Sequence, residues 1–299
     1  MDSRKRCYAF MTILVLLWGL EFIVAKRALE IFPPLILVFF KYMVGFITLI
    51  PVKLVRGGGL KLSPKYIPLL VLCVLCGDVF YYYAEYSALS YISVAAVTII
   101  LAFVPMLSVV IEKILFHRQP TAGMVVGILV CVAGIVLVIG IDINNVQTGK
   151  ASGYILAGLA VIAWNIYNFC TEKLTANCSN LDLTMLQLLC TTLILAPYVI
   201  ANFPPPSDFT FQSVGGAIYL GIFSSAVGFL IYVNALSVIG STSCALFSNF
   251  LPVTSSFFGW ALLGEKLTAL QTAGGVVVVA SACYVIKRRA RSDGEDPAA

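Results

Sequence analysis

Residues 88–105 read ALSYISVAAVTIILAFVP, and residues 235–252 read ALSVIGSTSCALFSNFLP. Both open on Ala-Leu-Ser, run apolar and close on a proline, and the second begins 147 residues after the first. At that offset 14 of the 46 positions from 88 to 133 are identical without a gap, with Pro105 on Pro252, Ser108 on Ser255 and Gly127 on Gly274. Apolar composition alone repeats letters, but it does not repeat the register of prolines and small residues, so the pair points to a duplicated unit. At an offset of 146 the earlier part matches too: Trp18 falls on Trp164 and Pro51 on Pro197.

Outward from these segments, 60% of the 299 residues are hydrophobic and 11% charged. A soluble protein carries about a quarter charged residues, so a soluble globular enzyme is excluded. Crossing about 30 Å of hydrocarbon at 1.5 Å per residue takes roughly 20 apolar residues. Apolar runs of that length lie at 8–26, 35–54, 67–87, 92–111, 122–140, 152–171, 183–203, 214–236, 241–262 and 269–286. The expected fold is an all-α integral membrane protein with ten transmembrane helices. Its short joints, among them Phe32-Pro33-Pro34, Arg56 to Gly59, Asn144-Asn145 and Pro204 to Pro206, favour antiparallel neighbours. Residues 1–146 form one five-helix repeat, 147–289 a second, and 290–299 a polar tail. An odd number of crossings makes the second copy enter from the opposite side, so the two five-helix repeats are inverted, the arrangement of secondary transporters that place a site at the midplane.

Cytoplasmic joints hold the excess of Lys and Arg. The N-terminus, the even-numbered joints and the C-terminus hold 14 of the 19, the odd-numbered joints hold Lys26, Arg27, Lys150 and Lys266, and Lys41 lies inside a span. Both termini are therefore expected in the cytoplasm. Arg4-Lys5-Arg6 before an apolar run resembles a signal peptide start, but the run contains Glu21 and ends on Lys26-Arg27 where a cleavage site needs small residues. The net charge of +5 is dispersed over joints and ends, which argues against nucleic acid as a partner. The nine cysteines fall mainly in apolar stretches and read as packing residues; Cys73 and Cys76 form a CxxC with no base beside it.

A charge at membrane depth costs about 3 kcal/mol or more, so it pairs or lines a wet cavity. Glu21, Lys41, Asp78 and Glu85 are such charges. Glu21 and Lys41 lie at matching depths, roughly 8 and 10 Å below the outer ends of their helices, so Lys41 is expected to clasp Glu21 or Glu85. Asp78 and Glu85, with Tyr81 and Tyr82 between them, make an acidic and aromatic stripe that is either a pocket wall or an outer rim. Trp164, Tyr167, Asn168 and Thr171 form a helical stripe in the sixth span, and Thr242, Ala245 and Asn249 one in the ninth; each serves helix contacts or a solute. Trp18, Tyr82, Trp164 and Tyr167 could stack on a solute beside the amides of Asn168 and Asn249. Pro105 and Pro252 each remove a backbone donor and are expected hinges.

The order of these motifs resembles the drug/metabolite transporter superfamily, and within it the ten-helix EamA-type transporters. The resemblance rests on LLWGLEFIVAK at 16–26, FFKYMVG at 39–45, YYYAEYSALSYISVAAVTIILAFVP at 81–105, SNFLP at 248–252 and LLGEKLTALQTAGGVVVVA at 262–280. Two departures stand out: Lys41 replaces a more usual Arg, and His117-Arg118 stand where the second copy has Gly264-Glu265. The resemblance implies a secondary transporter, an exporter of a small organic metabolite such as an amino acid, working by alternating access in a bacterial inner membrane. Glu21 and Asp78 are the expected coupling residues if protons drive it. The alternative in the same superfamily is a nucleotide-sugar or sugar-phosphate exchanger, which needs paired cations facing the cavity. A membrane-embedded enzyme or a channel fits less well, because the single His117 lies at a joint and neither a catalytic constellation nor a repeated filter-like loop is evident. No cofactor and no metal are expected, and the partners are the lipid bilayer and the solute, with a monomer favoured over a dimer.

Overall fold

The computed structural model describes residues 3–92, 94–117, 120–139, 151–203, 205, 209–263 and 268–292. Among these residues the regular structure is helical, without a strand. In chain order the helices are α1 (Ser3–Ala28), α2 (Pro34–Arg56), α3 (Pro64–Leu89), α4 (Val94–Leu101), α5 (Val104–Phe116), α6 (Ala122–Ile139), α7 (Ala151–Thr175), α8 (Asn180–Ala201), α9 (Phe211–Ser248), α10 (Leu251–Leu263) and α11 (Ala269–Ser292). By length and composition α1, α2, α3, α7, α8 and α9 can each cross a membrane. The repeat boundary at 146/147, Gly264-Glu265 and most of the terminal tail lie outside the described residues.

Several helices outrun the apolar spans. α2 continues through Lys53 to Arg56, α7 through Lys173 to Thr175, and α11 to Ser292. Apolarity bounds only the part inside hydrocarbon, whereas backbone hydrogen bonding carries the helix on, and basic residues in the last turn suit the negative end of its dipole. Pro34 opens α2 where a missing N–H costs nothing, and Gly57 ends it at φ 72°. Ser179 caps α8 by accepting from Asp182 N at 3.1 Å, and Thr210 and Ser213 cap the start of α9 reciprocally.

Pro105 and Pro252 were expected to kink continuous helices; instead each occupies the second position of a new one. Ala102-Phe103 separate α4 from α5, and Asn249-Phe250 separate α9 from α10. A proline cannot donate to the carbonyl four residues back and its ring crowds that carbonyl, so the chain tightens into single turns: Phe103 N donates to Ile100 O (3.0 Å) and Phe250 N to Phe247 O (3.0 Å). Gly240, at φ 75°, breaks α9 within its length, a conformation that other residues adopt only with strain.

Two helices carry π-helical segments, Val74–Phe80 in α3 and Leu220–Gly228 in α9, which start 146 residues apart. The extra residue per turn swings side chains off the regular 3.6-residue stripe. Both sit where helices approach closely. A Cβ on Gly77 would lie 2.2 Å from Tyr167 Cδ2, and one on Gly221 2.4 Å from Val44 Cβ. The packing is reciprocal: α3 lies against α7, α9 against α1, α2 against α8, and α6 runs along α11. One large apolar cluster joins α1, α2, α3, α7, α8 and α9, while Ala102, Cys131, Ile135, Val278 and Ala282 form a smaller one beside α6 and α11. Val55, Val126, Ile155, Leu193, Ile200 and Val276 point outward, as apolar residues do when hydrocarbon is the solvent.

Candidate functional site

α1 turns Trp18, Glu21 and Phe22 inward, the regular turns of α3 that follow its π-helical segment present Tyr81, Tyr82 and Glu85, and α7 adds Trp164. The helix breaks complete the wall: Leu101 and Val104 flank the first, Ser248 and Leu251 the second. Together they line a small cavity of about 30 Å³. The lining positions pair across the repeat. Leu101 and Ser248 stand 147 residues apart, as do Val104 and Leu251, and Trp18 and Trp164 stand 146 apart.

Behind this wall lies a buried ion pair. Lys41, fully enclosed, donates to Glu21 Oε1, and its Nζ lies 3.6 Å from the centroid of the Tyr82 ring. Tyr86 donates to the same Glu21 oxygen at 3.0 Å, and Ser224 Oγ donates to Oε2. Of the two expected partners Lys41 thus pairs with Glu21, whose carboxylate is held by three donors. Asp78, also fully buried, accepts from Tyr42 at 2.8 Å through Oδ1, while its Oδ2 accepts no hydrogen bond. Glu85 is 2% exposed and its Oε2 likewise accepts none. Three carboxylates, Glu21, Glu85 and Asp78, act on the single ammonium of Lys41.

The second half repeats the geometry with neutral groups. An offset of 146 carries Glu21 to Tyr167 and Lys41 to Gln187, and Tyr167 OH donates to Gln187 Oε1 at 3.5 Å. Gln187 also donates to Thr171 Oγ1 at 3.0 Å, and the Cys73 thiol lies 3.1 Å from the same hydroxyl. Cys73 and Cys76 are both free thiols. The acid and base chemistry beside the cavity is thus concentrated in the first half, while the corresponding α7–α8 contact is an uncharged polar clamp.

Trp164 stacks on Tyr167 at 4.9 Å and 14°, and Trp18 lies 5.8 Å from Trp164 and 5.0 Å from Tyr232. Asn168 sits one layer back, accepting from Tyr232 OH at 2.9 Å with its Nδ2 unused. Asn249 turns towards α6, where it donates to Cys131 Sγ at 3.3 Å, and its neighbour Ser248 takes the place on the cavity wall. Of the ten residues singled out from sequence, Trp18, Glu21, Tyr82, Glu85 and Trp164 line the cavity; Lys41, Asp78, Tyr167, Asn168 and Asn249 stand outside its wall.

Sequence reasoning missed Tyr86, Ser224, Tyr42, Gln187 and Asn165. Gln187 was within reach by carrying Lys41 through the repeat, and Tyr86 by stepping one turn on from Tyr82. Ser224 was within reach by the same route as Gln187, since the offset of 146 carries Asp78 onto it. Asn165 accepts from Ser108 Oγ at 2.6 Å and donates to Val104 O at 3.4 Å, which ties α7 to the first turn of α5. A wider opening elsewhere is lined by Arg4, Glu112, Glu172 and Gly240; there Glu172 Oε2 accepts from Ser241 N at 2.8 Å and caps the segment that follows Gly240.

A family model described as "EamA-like transporter family" matches residues 5–140 and again 151–287. A protein of Archaeoglobus fulgidus named "Uncharacterized transporter" is 24% identical over 277 residues, covering 92% of this chain and 96% of its own. A "Probable amino-acid metabolite efflux pump" of Salmonella typhimurium is 22% identical, covering 98% of this chain and 100% of its own. A solved structure titled "Crystal structure of protein" superposes with a TM-score of 0.77 at 19% identity, over 97% of this chain and 99% of that one, which establishes a shared fold. With the family pattern met twice along its length, the chain belongs to the EamA-like transporter family, multi-pass membrane transporters.

Proposed function

We propose that the chain is a secondary transporter that moves a small organic metabolite, an amino acid or related compound, out of the cell by alternating access. Ten crossings arranged as two inverted five-helix halves enclose the central cavity, with both termini in the cytoplasm of a bacterial inner membrane. The observation that carries this reading is the pairing of repeat-equivalent residues on one cavity wall: Leu101 with Ser248, Val104 with Leu251, Trp18 with Trp164. A cavity built from equivalent positions of two copies can open towards either face when one half rocks on the other. The helix breaks before Pro105 and Pro252 give each wall a place to bend, because the backbone there lacks continuous i to i−4 bonding. The opening lined by Arg4, Glu112 and Glu172 is then the cytoplasmic vestibule. An amino-acid metabolite as cargo is favoured by the name of the Salmonella relative.

Proton coupling belongs to the same proposal. Glu21 and Asp78 are buried carboxylates in the half that holds Lys41, so taking up or losing a proton changes the charge balance at the α1–α2–α3 contact. In reconstituted vesicles Glu21→Gln and Asp78→Asn should abolish uptake driven by a pH gradient while sparing exchange of solute for solute. Gradient-driven uptake that is unchanged in both variants would end the coupling proposal.

A further inference from the structure

The cavity holds one acid whose bonding is incomplete. Glu21 is saturated by Lys41, Tyr86 and Ser224, but Glu85 lines the same space, 98% buried by difference from its 2% exposure, with an oxygen that accepts no hydrogen bond. A buried acceptor left unmade is costly, and more so for a carboxylate. The rest of the wall offers Trp18, Phe22, Tyr81, Tyr82 and Trp164, whose ring faces are electron-rich. No cationic residue is among the lining residues, since Lys41 is committed to Glu21 and lies over the face of Tyr82. An acid with one oxygen left unbonded, set among aromatic faces while the fixed cation is hydrogen-bonded to Glu21, is complementary to a positively charged nitrogen carrying its own N–H groups.

We infer that Glu85 is the anchor for the ammonium group of the solute, so that this cavity takes organic amines with an apolar or aromatic body and does not require a carboxylate on them. This rests on the reading of the cavity as the solute site and deepens it. Tyr81 and Tyr82 precede Glu85 on α3 by four and three residues and so flank the bound nitrogen from the same helix face. The narrow free space, about 30 Å³, matches an ammonium head seated first and a body admitted as the helix breaks part. Among amino acids this selects by the amino group; a compound whose only charge is a carboxylate meets Glu21 and Glu85 with no free cation to receive it.

The test measures binding of three probes of one shape to purified protein by tryptophan fluorescence, with Trp18 and Trp164 as reporters: phenethylamine, phenethyl alcohol and phenylpropionate. The expected result is phenethylamine bound at least about tenfold more tightly than either of the others. Glu85→Gln should bring the amine to within about threefold of the alcohol while keeping the melting temperature, and Glu30→Gln, at an exposed acid, should leave the preference intact. Glu85→Asp, shorter but still charged, should retain part of the preference, which a merely structural role would not produce. Phenylpropionate binding as tightly as the amine, no binding of phenethylamine, or a preference unchanged in Glu85→Gln would overturn the inference. Amine selectivity in a protein that moves no solute across vesicles would instead count against the transport reading alone.

Discussion

Replacing Lys41 by methionine isolates the ion pair at the α1–α2 contact. Lys41→Met keeps most of the side chain's volume but removes a counter-charge from a carboxylate that is 4% exposed, and it removes a cation held 3.6 Å from the Tyr82 ring centroid. Breaking one partner of a buried pair costs about 3–5 kcal/mol, and a desolvated cation over a ring contributes about 2 of that. Glu21→Gln alone should cost less, about 2–3 kcal/mol, because Asp78 and Glu85 still act on Lys41. Together the two substitutions remove both members of the pair, leaving only the loss of the Lys41 attraction for Asp78 and Glu85, and the glutamine oxygen still accepts from Tyr86, so the double variant should fall only about 1–2 kcal/mol below wild type. Equilibrium unfolding in mixed micelles, followed by tryptophan fluorescence over this four-member cycle, should return a coupling of several kcal/mol. A double variant that loses the sum of the two single losses to within about 0.5 kcal/mol would refute the pairing.

Other positions separate steric from polar contributions. Gly77→Ala should destabilise by about 1–3 kcal/mol, read by the same unfolding assay, since its Cβ meets Tyr167 Cβ and Cγ at 2.4 Å on the inner, inflexible part of the ring. Tyr42→Phe strips Asp78 of its donor and should cost about 1–3 kcal/mol, with Asp78→Asn in the same chain recovering part of the loss. Lys53→Met breaks a pair with Asp182 that is partly open to solvent, 15% and 8% exposed, and should cost only about 1 kcal/mol, well under Lys41→Met. Asn165→Leu removes the acceptor of Ser108 and a donor to Val104 O and should destabilise by about 2 kcal/mol; Ser108→Ala should cost less, because Asn165 keeps its bond to Val161 O at 2.9 Å.

What was legible beforehand follows from the physics each feature obeys. The apolar runs located α1, α2, α3, α7 and α8, because the bilayer demands length and apolarity together. Burial of charge narrowed the partner of Lys41 to Glu21 or Glu85, since a charge in hydrocarbon must find another, but the choice of Glu21 needed the packing of α1 on α2 and α3. Pro105 and Pro252 were recognised as special positions, but whether a proline bends a helix or ends it depends on the local turn that forms around it. The π-helical segments were not readable: one extra residue in a turn leaves an apolar sequence with the same letters, and only the close approach of Gly77 to Tyr167 and Gly221 to Val44 reveals its purpose. The π-helical turn also contains Asp78 and runs directly into the segment bearing Glu85, so which acid meets the cavity could not be read from a regular helical wheel.

The central claim is that one cavity between the two halves is reached alternately from each face. Its most direct measurement is the reaction of a single cysteine at Ser248, in a chain whose nine native cysteines are replaced, with a membrane-impermeant thiol reagent in sealed right-side-out and inside-out vesicles. The account predicts reaction from both faces, with the ratio of the two rates shifted by an added solute that binds. Reaction from one face only, under every condition and with every such solute, would contradict it.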